Sequence, residues 1–416
     1  MPNGTGSPAE FATRLSLDAA RAHVRKLCAS RRLPGESIDL ERALGRILAE
    51  HLIAPHALPP FANSAMDGFA LRGAELPAQD EHRFRIVGRV LAGADVVPAC
   101  GSRECVRITT GAPLPPGADT VVIRERARED GGEIVVGAGE RAGANVRPAG
   151  EDYRTGEIAL RAGDMLSAAR LGVLAACGMA RVQVARRPRV ALFVTGDELV
   201  PPDHVLGFGL IHDSNRYSLG GLLRELGIEP EPVAHLRDDP DALRVALREA
   251  GERCDLVISS GGVSAGEADF LPALVAELGA VHFWKVRMKP GMPVLCGEIG
   301  TALLFALPGN PVSAVATFLT LVRPALLALQ GAAGAARTWH ARVAVPIVKK
   351  HDRSEFLRAS LESRDDGALW ATPRLQQGSG MLRGLAEADA LIVVPEGTRE
   401  LAVGAVVEIM PLPGLC

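Results

Sequence analysis

The sequence predicts a multidomain protein of the α/β plus β class, with a central α/β domain and a small C-terminal β-barrel. From Pro188, apolar runs of strand length alternate with segments of helical period as far as about Leu329, which is the pattern of a sheet covered by helices. Residues 84–136 and the chain from His340 instead carry short alternating runs between Gly- and Pro-rich turns, a pattern typical of small β domains. A length of 416 residues allows two to four such domains.

Composition excludes several classes of function. The chain is 47% hydrophobic and 23% charged, as ordinary globular proteins are. Its formal charge of -3 provides no electrostatic basis for binding nucleic acid or an anionic membrane surface, and no apolar run reaches the roughly 18 residues of a membrane span. Seven scattered cysteines without a CxxC pair argue against a disulfide framework or a zinc site. We therefore expect a reduced, cytoplasmic protein with no nucleic-acid or membrane partner.

The N-terminal part is predicted to mix helices, loops and strands. Apolar periodicity predicts amphipathic helices at residues 15–29 and 39–51. A Pro-rich stretch then leads into an ordered loop in which the acid Asp67 lies among apolar neighbours and is poorly explained as a surface residue. After the β-rich region, a third helix is predicted at residues 167–176. The β-rich region is therefore flanked on both sides by helical segments.

The central domain is predicted to contain a parallel sheet whose strands end in loops that open helices. Its predicted strands are residues 190–194, 232–236, 256–258, 281–286, 294–299 and 302–307. Four of the loops leave strands at Thr195, Arg237, Ser259 and Leu307. Asp239 and Asn310 are placed to cap the two helices that begin with Pro240 and Pro311. Since parallel strands share one carboxyl edge, we expect these loops to converge where open α/β sheets bind ligands.

A glycine-rich loop after the third of these strands carries the strongest local signal for chemistry. It reads Ser259-Ser260-Gly261-Gly262-Val263-Ser264-Ala265-Gly266-Glu267-Ala268-Asp269. Glycines at a strand-to-helix turn let backbone N–H groups approach an anion closely. The carboxylates Glu267 and Asp269 beside them suit a divalent metal that accompanies a phosphate ester. An isolated Ser-Gly-Gly sequence would be explained better as a turn without a ligand.

Lysine is scarce in this chain, and two of its five lysines lie close together. Lys285 and Lys289 occur where the other basic residues are almost all arginine. A lysine supplies a compact point charge rather than a planar fork, so the two are candidates for contacting an anion. Chance placement is the alternative explanation.

Eight short motifs, in order and with compatible spacing, resemble those of the molybdopterin molybdenumtransferase family, which is similar to the C-terminal domain of gephyrin. They are spread over nearly the whole chain. The motifs are Pro60-Phe61 with Asn63-Ser64-Ala65-Met66-Asp67-Gly68, Thr109-Thr110-Gly111-Ala112-Pro113, Gly150-Glu151-Asp152, Thr195-Gly196-Asp197-Glu198-Leu199, Asp213-Ser214-Asn215, Ser260-Gly261-Gly262-Val263-Ser264 with Gly266-Glu267-Ala268-Asp269, Lys285 with Lys289-Pro290-Gly291, and Pro308-Gly309-Asn310-Pro311.

The resemblance implies a four-part subunit. Its parts are an extended N-terminal helical and β domain at residues 12–60 and 147–186, an inserted β-rich domain at 61–146, an α/β molybdopterin-binding domain at 187–333, and a C-terminal β-barrel domain at 338–416. It also implies a homodimer whose active site lies between the α/β domain of one subunit and the N-terminal region of the other. The implied reaction is the Mg²⁺-dependent insertion of molybdate into adenylylated molybdopterin with release of AMP. The adenylyltransferase that makes this substrate is a further partner.

The resemblance also assigns roles to residues of this sequence. The implied catalytic residues are Asp67, Asp152, Glu198 and Asp269. The implied substrate-binding residues are Thr110, Arg147, Ser260, Gly261, Gly262, Ser264, Lys285, Lys289, Pro308, Pro311, Arg358 and Ser379. The implied ligands of Mg²⁺ are Asp67, Asp238, Asp269 and Glu198.

Three positions depart from the family pattern. Ala306 replaces a common glycine, and Ala62 takes a position that is often polar. Met292 stands where a basic residue usually follows Lys-Pro-Gly. Met292 therefore removes a positive charge near the expected anion site, which bears on the affinity for molybdate and on the preference between molybdate and tungstate.

Simpler interpretations and rival functions remain alongside this one. Without the resemblance, Asp238 could cap a helix, Glu198 could belong to a solvated turn, and Pro308 and Pro311 could serve only as turn and helix-start residues. The rival functions are an adenylyltransferase-like enzyme and a non-catalytic oligomeric scaffold. The flanking domains distinguish the first rival, since an adenylyltransferase needs only the α/β domain.

Overall fold

The computed structural model describes residues 12–231, 234–237, 239–263, 270–333 and 338–412. The described chain forms two compact units. The larger contains the described residues of Met1–Glu36, Gly45–Ala49 and Val184–Cys416, and the smaller contains Ser37–Leu44 and Glu50–Gln183. The α-helices are α1 (Leu17–Ala29), α2 (Ala168–Ala176), α3 (Asn215–Glu225), α4 (Pro240–Arg253), α5 (Leu271–Leu278), α6 (Pro311–Thr317), α7 (Arg323–Leu329) and α8 (Leu382–Ala386).

The strands fall into three groups along the chain. Those before the central domain are β1 (Ala12–Leu15), β2 (Gly35–Asp39), β3 (Leu52–Ile53), β4 (Asn63–Ser64), β5 (Gly68–Leu71), β6 (Glu81–Val90), β7 (Glu104–Ile108), β8 (Thr120–Ile123), β9 (Ala127–Asp130), β10 (Glu133–Gly137), β11 (Val146–Arg147), β12 (Ile158–Leu160) and β13 (Arg181–Ala185). The central ones are β14 (Val190–Thr195), β15 (Leu199–Val200), β16 (Ile211–His212), β17 (Ala234–Leu236), β18 (Leu256–Ser260), β19 (Gly279–Val286), β20 (Met288–Lys289), β21 (Leu295–Ile299) and β22 (Ala302–Leu307). The last are β23 (Trp339–Val343), β24 (Ile347–Val348), β25 (Ser354–Ser363), β26 (Leu369–Pro373), β27 (Ala390–Val394), β28 (Glu400–Leu401) and β29 (Val406–Pro411).

A seven-stranded sheet in the order β1-β19-β21-β22-β18-β14-β17 forms the centre of the larger unit. Strands β14, β17, β18 and β22 run parallel, as predicted, whereas β21 pairs antiparallel with both β19 and β22. Along β14, Val190 and Leu192 belong to one hydrophobic cluster, and Ala191 and Phe193 belong to another. Both faces of the sheet are therefore buried, as the continuous apolar runs of parallel strands require.

One long helical stretch of the larger unit contains an irregular turn. Helices α6 and α7 are joined through a π-helical segment, Phe318–Val322. Pro324 has no backbone N–H with which to bond the Thr320 carbonyl one turn earlier, and the Arg21 Nε donates to that carbonyl at 3.4 Å instead. The stretch Pro311–Leu329 is, by length and composition only, long and apolar enough to cross a membrane, and 78% of its most apolar 18-residue window is buried inside the protein, as in the core helix of a globular domain.

The C-terminal region forms the predicted barrel. Strands pair in the order β25-β26-β23-β29-β27, and an additional β25–β27 pairing closes the five-stranded ring. Its interior contains the buried side chains of Val343, Ala359, Ile392 and Ile409. Strand β20 extends this sheet by pairing parallel with β25, with Lys289 opposite Glu355. The barrel is thus joined by backbone hydrogen bonds to the segment that carries Lys289.

The smaller unit is built on a six-stranded sheet in the order β8-β5-β7-β6-β10-β9. Phe69 and Phe84 are buried in one hydrophobic cluster of this region, and Ile108 and Val121 are buried in a second. The alternating runs predicted for residues 84–136 therefore form strands that bury apolar side chains.

Most predicted helices are confirmed, but the one at residues 39–51 is wrong. Helices α1, α2 and α4 begin after Ser16, Ser167 and Asp239, whose side chains accept backbone N–H groups. In place of the second predicted helix, β2 is followed by a single 3-10 turn, Leu40–Arg42. Gly45 adopts φ +73°, a left-handed conformation that interrupts a helix.

Candidate active site at the carboxyl edge of the central sheet

The glycine-rich turn after β18 packs directly against the end of β14. Gly261 and Gly262 have φ values of +103° and +62°. A Cβ atom on Gly261 would lie 2.5 Å from the Thr195 carbonyl oxygen and 2.6 Å from its Oγ1. The Gly261 N–H donates to the Leu307 carbonyl at 3.0 Å. Only glycine fits at position 261, because both the backbone conformation and the close approach exclude a side chain.

A polar network joins three element ends at this edge. The Asn215 Nδ2 donates to Ser260 Oγ at 2.9 Å and to the Gly309 carbonyl at 2.7 Å, and Ser260 Oγ donates to the Pro308 carbonyl at 3.4 Å. Asn215 opens α3, so the network fixes that helix against the ends of β18 and β22. Asn215 was not among the predicted site residues, although it belongs to the Asp213-Ser214-Asn215 motif of the family resemblance.

Three polar atoms at the same edge have no hydrogen-bond partner among the described residues, although they are buried. They are Thr195 Oγ1, Ser259 Oγ and Asn215 Oδ1. Leaving such a group unsatisfied costs about 1–3 kcal/mol, and in native proteins such groups are usually paired. Because these atoms lie around the glycine turn, a ligand bound there could form the hydrogen bonds that they lack.

Glu198 lies in the turn that follows β14. Its side chain is exposed and folds back over Gly196, where an added Cβ would meet Glu198 Oε2 at 2.6 Å. His235 on β17 contacts the Gly196 carbonyl through Nε2 at 2.8 Å. The turn is therefore held to the neighbouring strand while the Glu198 carboxylate stays accessible.

The two predicted anion-binding lysines have different surroundings. Lys285 has φ +69°, and its Nζ lies 4.1 Å from the centre of the Trp284 ring. The Trp284 indole donates to the Val263 carbonyl at 3.2 Å, which connects Lys285 to the glycine-rich turn. Lys289 Nζ instead forms an ion pair with Glu355 Oε1 at 2.9 Å. The positive charge of Lys289 is therefore balanced by Glu355, and the sequence did not indicate this pairing.

The first turn of α6 contacts a loop from the barrel. Pro308 is buried and Pro311 is the first residue of α6, while the Val312 N–H donates to the Ser379 carbonyl at 3.0 Å. Ser379 itself is half-buried. The structure therefore brings together Ser260, Pro308, Pro311 and Ser379 at one corner of the larger unit.

Arg358 faces inward and holds this barrel loop. It is 1% exposed, and its guanidinium donates to the Gln376 carbonyl at 2.8 Å, the Met381 carbonyl at 3.0 Å and Gln377 Oε1 at 3.3 Å. Burial lowers the pKa of its guanidinium below the ordinary value. Its donors are committed to the loop that carries Ser379, so Arg358 positions that loop. The contact of Arg358 with substrate, which the resemblance implies, stays a prediction.

The remaining predicted residues that the structure describes lie in the smaller unit. The Thr110 N–H and Oγ1 donate to Asp67 Oδ1 at 2.7 and 2.8 Å, and these bonds lower the pKa of the Asp67 carboxyl group. Arg147 is exposed on β11 and pairs with Asn63, four residues before Asp67. Asp152 is also exposed, and its N–H donates to the Leu58 carbonyl at 2.9 Å. Asp67, Thr110 and Arg147 thus belong to one group of loops.

Asp238, Ser264 and Asp269 lie outside the described residues. Among the residues that are described, no three His, Cys, Asp or Glu side chains group closely enough to hold a metal ion. The six described cysteines are buried free thiols.

A glycine-rich turn at the carboxyl edge of parallel strands in an α/β sheet, in the same unit as a small barrel, is the arrangement of an α/β protein that binds an anionic ligand. The probable molybdopterin binding domain model matches residues 191–328. The models of the MoeA N-terminal region (domain I and II) and the MoeA C-terminal region (domain IV) match residues 15–178 and 340–412. The chain belongs to the molybdopterin molybdenumtransferase family, whose members are transferases of molybdenum cofactor biosynthesis.

Relatives of known name match over almost the full chain. The molybdopterin molybdenumtransferase of Haemophilus influenzae is 35% identical over 95% of this chain and 98% of its own. That of Bacillus subtilis is 34% identical over 96% of this chain and 95% of its own. The crystal structure of the molybdopterin biosynthesis MoeA protein from Pyrococcus horikoshii superposes with a TM-score of 0.81 at 27% identity, covering 96% of this chain and 100% of that one.

Proposed function

We propose that this protein inserts molybdate into adenylylated molybdopterin in a Mg²⁺-dependent reaction that releases AMP. The observation that carries the proposal is the glycine turn at residues 261–262, with the unsatisfied Thr195 Oγ1 and Asn215 Oδ1 beside it. A phosphate-bearing pterin has the acceptor oxygens for backbone N–H groups and the donors for these two acceptors. Molybdate is the second substrate.

Each part of the site has a task in this proposal. The turn at residues 260–262, together with Ser264, receives the pterin phosphate, and Lys285 adds positive charge on the same side. Pro308, Pro311 and Ser379 form the wall beside the oxyanion. In the smaller unit, Thr110 donates two hydrogen bonds to Asp67 and lowers the pKa of its carboxyl group, and Arg147 and Asp152 complete that group of loops. The chain's own residues thus bind and orient two anions.

The available donors suit Mg²⁺, which prefers oxygen ligands and retains several waters. The Asp67 carboxylate is exposed and ionised, with Oδ1 engaged by Thr110, and Glu198 is exposed in the larger unit. Asp67 and Glu198, together with Asp238 and Asp269, are our candidate ligands. When bound, Mg²⁺ would neutralise phosphate charge and promote departure of the adenylyl group.

We further propose a cytoplasmic homodimer with composite sites. Asp67 belongs to the smaller unit and Glu198 to the larger one, and a two-fold axis would let each subunit complete the site of its partner. The substrate must come from an adenylyl transfer to molybdopterin, so the enzyme that performs that transfer is a candidate partner.

Release of AMP from adenylylated molybdopterin tests the proposal directly. We expect release that requires both Mg²⁺ and molybdate, and that falls at least 100-fold in Asp67→Asn, the order of loss for removal of a charged catalytic group. Asp80→Asn is the matched control, because Asp80 is also an exposed acid of the smaller unit. Consumption of ATP with release of pyrophosphate would favour the adenylyltransferase, and no turnover of either kind would favour the scaffold.

A further inference from the structure

We propose that Arg353 binds a tetrahedral oxyanion beside the turn formed by residues 289–292. The inference rests on the proposed function and deepens it, since it adds a binding residue that the family motifs do not assign. Molybdate is such an anion, and the phosphate group of the pterin likewise presents negatively charged oxygens around a tetrahedral centre. Arg353 immediately precedes β25 of the barrel.

The lysines of this region already have partners. Lys289 Nζ lies 2.9 Å from Glu355 Oε1, and Glu355 is only 7% exposed. A buried carboxylate needs a nearby cation, because leaving it unpaired is costly. The charge of Lys289 is therefore balanced within the protein. Lys285 Nζ rests on the Trp284 ring.

Arg353 differs from Lys289 in having no ion pair with a carboxylate of any described residue, and it differs from Lys285 in having no aromatic ring beneath its charge among the described contacts. Its side chain is half-buried, and Nη1 lies 3.8 Å from the Sδ atom of Met292. A thioether is a weak acceptor that cannot neutralise a guanidinium, and arginine remains charged at all relevant pH values. Arg353 therefore provides a positive charge beside residues 289–292 that no carboxylate of the described residues balances.

The backbone around Arg353 fixes where this charge lies. The Arg353 carbonyl accepts a hydrogen bond from the buried Lys349 Nζ at 2.9 Å. On the Met292 side of the Arg353–Met292 contact, the preceding Gly291 packs so closely on α6 that an added Cβ would lie 2.5 Å from Thr317 Oγ1. These contacts anchor the backbone of Arg353 and of Gly291 without involving the Arg353 side chain. Replacing that side chain should therefore leave the fold intact.

Arg353 lies where it can compensate for the basic residue that Met292 replaces. The sequence has methionine where a basic residue is usual, and the structure places an arginine from the barrel against that same methionine. A guanidinium can donate two parallel N–H groups to two oxygens of one oxyanion, which a lysine cannot do. The charge missing from the turn is thus supplied by a residue 61 positions away.

Isothermal titration of molybdate into the full-length protein tests this assignment without requiring turnover. We expect Arg353→Met to weaken molybdate binding about 10- to 100-fold, as for loss of a charge-assisted contact. Adding Met292→Lys to that variant should recover most of the lost affinity. Arg342→Met, which removes an exposed barrel arginine that donates to the Gly404 carbonyl, should leave the affinity unchanged.

Parallel titrations with adenylylated molybdopterin separate the two sources of the anion. A loss restricted to molybdate assigns Arg353 to the metal oxyanion, and a loss restricted to the pterin assigns it to phosphate. Unchanged affinity of folded Arg353→Met for both ligands overturns the inference, while wild-type protein that binds neither ligand overturns the proposed function itself.

Discussion

At the scale of the residue, Thr110 contributes most to the lowered pKa of the Asp67 carboxyl group, and the charge of Arg124 lowers it further. The Thr110 N–H and hydroxyl both donate to Asp67 Oδ1, and they lower its pKa, the backbone bond more than the hydroxyl bond. A carboxyl group with a depressed folded-state pKa adds stability that is complete above its unfolded value of about 3.9 and disappears as the pH falls through the folded value. Asp67 therefore remains a carboxylate throughout the neutral range.

Replacing Thr110 by valine should raise the pKa of Asp67 part of the way toward its ordinary value. The hydroxyl donor is lost while the backbone N–H remains, so the shift should be incomplete. Carbon-13 NMR titration of the Asp67 carboxyl group measures it. Thr109→Val is the control, because the Thr109 hydroxyl accepts from the Ala92 N–H and has no bond to Asp67. An identical Asp67 titration in Thr110→Val and wild type would contradict this account.

At the scale of the element, the turn after β18 depends on the absence of a side chain at position 261. Gly261→Ala should destabilise the protein by about 3 kcal/mol or more, because it combines an unfavourable φ with a clash against the Thr195 carbonyl. Gly404→Ala should cost only about 1–2 kcal/mol, since Gly404 has φ +83° but no atom within 4 Å of its added Cβ. Urea unfolding compares the two, and equal losses would show that the close approach to β14 is unimportant.

The irregular turn between α6 and α7 depends on Arg21, which lies on a distant helix. Arg21→Met should destabilise the protein by about 1–3 kcal/mol, because the Thr320 carbonyl loses the donor that replaces the missing N–H of Pro324. Arg25→Met on the same helix is exposed and should change stability by less than about 0.5 kcal/mol. Thermal unfolding measures both variants. Equal stabilities would mean that water satisfies this carbonyl as well as Arg21 does.

At the scale of the whole molecule, the proposed composite site predicts how much activity an equal mixture of two inactive variants recovers. Homodimers of Asp67→Asn and of Glu198→Gln should each be nearly inactive. If subunits mix at random, half of the dimers are heterodimers, in which one site carries both lesions and the other neither. Activity should therefore return to about a quarter of wild type. A mixture that stays inactive, with heterodimers verified by mass spectrometry, would place each site within one subunit.

The sequence by itself determined the features that neighbouring residues encode. Apolar periodicity predicted helices near residues 15–29 and 167–176, Asp239 predicted the start of a third helix, and apolar runs predicted the parallel strands of the central sheet. Motif order identified the family. Caps and periodicity act over a few residues, so they can be recognised without knowing the fold.

Only the tertiary structure decided which charged groups are paired and which are available. Lys289 is balanced by Glu355, Arg358 turns inward to hold a loop, and Arg353 has no carboxylate partner in the described part of the chain. The error at residues 39–51 has a related origin, since the structure has a 3-10 turn, a left-handed Gly45 and an isolated bridge between Leu48 and the distant Val184 in place of the predicted helix. Burial and pairing depend on residues far apart in the chain, as many as 299 positions for Arg21 and Thr320, and no local pattern encodes such contacts.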